Sequence, residues 1–315
     1  MKRHFLTALL FCAPLALFAQ KEINKTFSGV KSIRMNTSSG DCRILKSADA
    51  TVSVSVRHGY EENEFEPGFL QTGDRLELKE NYKAQSVSGS SPVWTVTIPE
   101  GIDVRFRTGS GSIEATSMKL QLDVNTGSGS VTFTRVTGDV TVNTGSGDLD
   151  IEAFDGVLDG STGSGTIRVL NSKGELKLNC GSGNIRITDS QAEFRASTGS
   201  GDVAARNLTL VGASRFNTGS GDAQVLLAET PQFDIAVGSG SGNAELDFNG
   251  NEISGEIVMT ANKSRGKIVA PFDFEKTEET TEWGDQITVR KSAMRGKGKQ
   301  KVSVSTGSGE AIIRK

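Results

Sequence analysis

Thr108-Gly109-Ser110-Gly111 is followed by the same phrase beginning at Thr126, Thr144 and Thr162, then by Cys180-Gly181-Ser182-Gly183, and then again from Thr198 and Thr218. The first five intervals are each 18 residues and the sixth is 20. A fixed period of this length is the mark of a repeat architecture. The rest of the chain reads as entry to this array, exit from it, or interruption of it.

One period can be read by counting from its Thr. Four places before it stand Val104, Leu122, Val140, Leu158, Leu176 and Phe194, and two places before it Phe106, Val124, Val142, Gly160, Leu178 and Ala196. Five places after it come Ile113, Val131, Leu149, Ile167, Ile185 and Val203, and seven places after it Ala115, Phe133, Ile151, Val169, Ile187 and Ala205. Polar residues such as Asp123, Thr141, Asp150 and Arg168 fall between them. This is a period of two on both sides of the phrase, so each period predicts two short half-buried strands and no helix. Gly-Ser-Gly separates them, on the expectation that glycine supplies backbone angles closed to other residues. A second corner is expected near Gly138, Gly156 and Gly174.

Two strands of this length cannot bury their apolar faces against each other. Stacking equivalent periods in parallel, about 4.8 Å apart, closes one continuous core. The expected fold is therefore all-β, a parallel β-solenoid (β-helix) of about 18 residues and two short strands per rung, with right-handed crossovers. Outward residues would then stack in columns: Arg105 over Asp123, Asp159 over Lys177, Asp150 over Arg168, and the like pair Arg168 over Arg186.

Residues 1–19 have the form of a secretory signal peptide. Lys2, Arg3 and His4 precede the apolar run Phe5 to Phe18, and Ala19-Gln20 suits cleavage. That run is too short for a spanning helix. Cys12 follows the bulky Phe11, which argues against lipoprotein processing. The reading implies an exported protein of the periplasm, outer surface or extracellular space, with no transmembrane segment in the mature chain. Removing Lys2 and Arg3 leaves 33 basic residues against 38 acidic ones, which excludes nucleic acid as the main partner, since that calls for a basic surface. Residues 20–315 read as a single elongated domain, less regular at 43–100 and 250–300. Cys42 and Cys180 lie several rungs apart, too far for a disulfide, and are expected to be buried free thiols.

From Thr37-Ser38-Ser39-Gly40, a degenerate first phrase, to Thr108 the phrase is absent, and an excursion from Gly59 to Gly73 carries Phe65 and Phe69. After Gly238-Ser239-Gly240-Ser241-Gly242 the pattern loosens until Thr306-Gly307-Ser308-Gly309. The polar stretch Glu275 to Glu282 and the basic stretch Lys291 to Lys301 between them read as loops or as a cap over an open strand edge.

No catalytic constellation is evident. His58 is the one histidine after the signal, and no Ser or Cys has a base and an orienting group around it. Ser28-Gly29-Val30-Lys31 fits S-x-x-K but lacks a helix and its companion motifs. Calcium-binding solenoids use G-G-x-G-x-D, whereas here the acid follows the second Gly directly in Gly147-Asp148, and the equivalent places hold Ser112, Ser130, Thr166 and Asn184. No metal or cofactor is assigned. Asn125, Asn143, Asn179 and Asn217 form a column that suits a hydrogen-bonded ladder between rungs better than sugar binding. Tyr60, Tyr82, Trp94 and Trp283 lie outside the regular array, either as contacts for a glycan or protein surface or as plugs for its ends.

Taken together, the export signal, the degenerate phrase at Thr37 to Asp41, the tandem Thr-Gly-Ser-Gly phrases and the closing strand around Val302 to Ile313 resemble a bacterial family of β-strand-repeat domains of unknown function described as candidate adhesins. The resemblance implies a non-enzymatic envelope or surface role and supplies no catalytic residues. The alternatives are a carbohydrate-active or calcium-dependent solenoid, or a periplasmic scaffold or envelope-stress protein.

Overall fold

The structure, a computed structural model, describes residues 20–281 and 287–315. The proposed signal peptide, Cys12 and Trp283 lie outside the described residues. Every regular element among the described residues is a strand. All the apolar positions on both sides of the phrase are buried, from Val104 and Ile113 through Phe194 and Ala205, and they join into one core. Gly160 fills its inward place without a side chain because Leu149 takes the space: a Cβ there would meet Leu149 Cδ2 at 3.0 Å.

Pairing follows the period. Leu149–Glu152 pairs in parallel with Val131–Thr134 on one side and with Ile167–Leu170 on the other, and Asp155–Thr162 pairs with Thr137–Thr144 and with Lys173–Cys180. Leu149 thus stands between Val131 and Ile167, one period either way. The two-residue lengthening before Thr218 is absorbed at a register shift between Ala205 and Leu208. Asp159–Lys177 closes as an ion pair at 2.7 Å. The repulsion of Arg168 and Arg186 is offset because Arg168 Nη1 reaches both Asp150 and Asp148 at 3.0 Å.

Both glycine expectations need correction. The glycines of the repeated phrase carry no left-handed φ; they are required because periods touch there. A Cβ on Gly145 would fall on the carbonyl oxygen of Gly127, and every equivalent glycine meets its predecessor in the same way. The second corner lies a few residues before Gly138 and its equivalents, at Ser117, Arg135, Ala153, Asn171, Asp189 and Asn207, whose φ values run from 50° to 56°.

The two long interruptions of the phrase leave the stack intact. Thr37 pairs with Thr108 and Ser239 with Thr306, so the phrases flanking each gap are direct neighbours. The intervening chain folds back over the outer side of the terminal period. At one end, Arg75–Tyr82 and Val93–Ile98 add in parallel to Ser32–Thr37 and Asp41–Lys46, and Lys21–Ser28, Thr51–His58 and Phe65–Thr72 follow antiparallel. At the other, Gly255–Asn262 adds to Lys301–Thr306, and Ile287–Arg295 and Lys276–Thr281 follow antiparallel. The stretches read as loops or cap are this cap.

Candidate functional site

The threonine hydroxyl of the phrase is buried and bonds twice. Thr144 Oγ1 donates to Gly129 O in the preceding period and accepts the N–H of Gly147 in its own, both at 3.0 Å. Cys180 does the same with sulfur, donating to Gly165 O at 3.2 Å and accepting from Gly183 N–H at 3.0 Å. Both cysteines are free and buried. Burial, reinforced by the charge of Asp41, pushes the Cys42 thiol up to about 12, so it is not a thiolate nucleophile.

The acids considered for calcium are also held by the stack. Asp148 Oδ1 accepts the N–H of Thr166 at 2.7 Å, Asn184 that of Asp202 at 2.8 Å, and Asp222 that of Asn243 at 2.7 Å. The Thr166 N–H, with Arg168, holds the Asp148 carboxyl below the usual range. A ladder therefore exists, but at this column and not at the asparagines. Asn125 Nδ2 donates to Asp123 at 2.8 Å on its own strand. Among the described residues Asn143, Asn179 and Asn217 make no side-chain bond to one another, and no group of three His, Cys, Asp or Glu suits a metal.

The aromatic residues belong to the amino-terminal cap. Trp94 is 0% and Tyr60 5% exposed. Tyr60, Tyr82, Phe65 and His58 form one cluster with ring centroids 4.8 to 6.3 Å apart, while Trp94 packs on Phe69 at 5.8 Å. They plug the end, and the reading of Tyr60 and Trp94 as exposed contacts is corrected: the terminal period needs apolar cover. Burial raises the Tyr82 hydroxyl, and burial followed by Lys21 lowers His58. Glu80 sits among them. Its carboxylate accepts the Ser38 N–H at 2.7 Å, the Ser39 N–H at 3.3 Å, the Tyr82 hydroxyl at 3.3 Å and the Trp94 indole N–H at 3.1 Å.

The outward residues flanking the phrase form a long polar face. Near its carboxyl-terminal end, Lys177, Arg195, Arg215 and Lys301 edge a groove of about 680 Å³ over Ala196 and Ala236. Arg195 is paired there with Glu193 at 2.6 Å and Glu175 at 3.4 Å. Near the other end, Arg34, Asn36, Arg105 and Arg107 line a pocket of about 210 Å³.

The model of one family, Toastrack DUF4097, matches residues 30–270. The chain belongs to the Toastrack family. No curated protein matches this Toastrack chain. Solved structures resemble it at low identity. A candidate cell adhesion protein from Clostridium sporogenes is 13% identical over 94% of this chain and 99% of its own, with a TM-score of 0.23. A candidate lipid binding protein from Parabacteroides distasonis is 14% identical over 94% and 96%, with a TM-score of 0.44. A candidate adhesin from Bacteroides fragilis is 12% identical over 93% and 96%, with a TM-score of 0.32. No helix among the described residues is long and apolar enough to cross a membrane.

Proposed function

We propose that this Toastrack chain is an exported, non-enzymatic interaction module of the cell envelope, built as a β-solenoid of about 18 residues and two short strands per rung. The observation that carries the reading is the polar face itself. Each period contributes an outward side chain at the same register as its neighbours, as in Arg105, Asp123, Thr141, Asp159, Lys177 and Arg195. A rigid face repeating at about 4.8 Å suits contact at several points along an extended partner, where weak contacts add through avidity.

Protease treatment of cells carrying a tag after Lys315 tests the location. Loss of the tag from intact cells supports display at the surface, and loss only after the outer envelope is permeabilised supports a periplasmic partner. A tag that survives until the cytoplasm is opened overturns export.

A further inference from the structure

We infer that the pocket of Arg34, Arg105 and Arg107, with the trough that continues from it past Asn125 and Asn143, binds an anionic glycan, the acidic group seated among the three guanidinium groups. This deepens the interaction-module reading and rests on it.

Arg105 and Arg107 alternate along the strand Asp103–Thr108 and so project from one face. Arg34 stands directly opposite Arg105 on Ser32–Thr37, and Asn36 opposite Arg107. Like charges facing each other across a ladder are destabilising. Elsewhere the chain offsets such repulsion: Arg168 has Asp148 and Asp150, and Arg195 has Glu175 and Glu193. Among the described residues Arg34, Arg105 and Arg107 have neither an ion pair nor a side-chain hydrogen bond. The carboxylates nearest in register are engaged elsewhere: Glu77, beside Arg34, pairs with Lys79 at 3.1 Å, and Asp123, beside Arg105, accepts from Asn125. Three unneutralised arginines on a chain with net negative charge are a site lacking its anion. Guanidinium forks match sulfate, phosphate and carboxylate oxygens in pairs.

The shape points to a polymer. Arg107 also begins a trough of about 700 Å³ lined by Thr108, Asn125, Gly127, Asn143 and Gly145. Asn143 is exposed and its carboxamide is unused among the described residues, so it offers both a donor and an acceptor, the complement of sugar hydroxyls. A pocket for one acidic group opening onto amides fits an acidic sugar chain better than a free ion.

The test is fluorescence anisotropy of the full mature chain with a labelled dextran sulfate oligosaccharide at low salt, with neutral dextran, sodium sulfate and phosphatidylglycerol vesicles as comparisons. The oligosaccharide should bind and neutral dextran should not, with affinity falling as salt screens the charges. Arg34→Gln with Arg107→Gln should weaken binding by about tenfold or more, equivalent to about 1.4 kcal/mol, and Asn143→Asp should weaken it by repulsion. Arg107→Lys, which keeps the charge and loses the fork, should fall between. Equal loss with Arg215→Gln would overturn the site. Sodium sulfate binding as tightly as the oligosaccharide, or vesicles binding in its place, would overturn the glycan. These readings are made on purified protein, so they fail or succeed independently of the protease test of location.

Discussion

Thr144 holds two periods together with one hydroxyl, because its oxygen is buried between a carbonyl of the preceding turn and an amide of its own. Thr144→Val keeps the shape and leaves both groups unsatisfied, which should cost about 1–3 kcal/mol in urea unfolding. Cys180→Thr should be neutral or stabilising, since a hydroxyl makes stronger bonds than a thiol in the same geometry. A second test lies at the other corner. Ala153 holds a φ of 53°, where a Cβ is strained and glycine is not, so Ala153→Gly should raise stability by about 0.5–1 kcal/mol. The inward columns were legible because burial alternates with strand period. The threonine's work and the glycines' true reason were not, since both arise from contact between periods that a single period does not contain. The left-handed column left a trace in Asn171, Asp189 and Asn207, residue types that tolerate this conformation, and Ser117, Arg135 and Ala153 masked it.

At the scale of elements, the ends decide stability. In the interior each phrase gives its amide groups to the carbonyls of the phrase before, as Gly145 N–H does to Thr126 O at 3.1 Å. The first phrase has no predecessor, and Glu80 supplies the acceptor for Ser38 and Ser39. Glu80→Ala should speed hydrogen exchange at those two amides by exposing them, while amides near Leu149 keep their protection. Unchanged exchange at Ser38 and Ser39 would remove Glu80 from this role. The same cap contains His58, whose Nδ1 accepts the Tyr60 N–H at 3.3 Å. Burial, then Lys21, lowers its proton affinity below the ordinary value. A lowered value means that the neutral form is favoured in the fold, so its stabilising contribution is present above the ordinary histidine range near 6.5 and is lost as pH falls through the lower folded value. The cap should loosen below about pH 6, and His58→Phe should flatten that dependence in a thermal melt. The aromatics' place outside the array was legible; their direction was not, because Phe65–Thr72 folds back on Arg75–Tyr82 through an antiparallel pairing that no period announces.

For the whole molecule, the pairing implies that periods are interchangeable units and the caps are not. Leu149→Asp should unfold the array, because it puts an unpaired charge where the side chain is 0% exposed, whereas Asp150→Ser removes only a surface partner of Arg168, about 0–1 kcal/mol. A sharper test of the register is deletion. Removing residues 145–162 takes out one 18-residue period and joins Thr144 to Gly163, restoring the phrase as Thr-Gly-Ser-Gly. Val131 would then meet Ile167, and Gly138 would meet Gly174, each an apolar or glycine partner of the kind already present in its column. Stability in such a stack is a sum of unit and neighbour terms, so the shortened chain should fold, unfold cooperatively and show a slightly smaller denaturant slope in proportion to the surface lost. Removing residues 145–153 takes half a period and leaves strands opposite corners, so that chain should not fold. If both deletions were tolerated, or neither, the periods would not be the units of the fold; if only the full-period deletion is, the phrase at Thr108 to Gly221 is the register mark on which the rest of the chain is built.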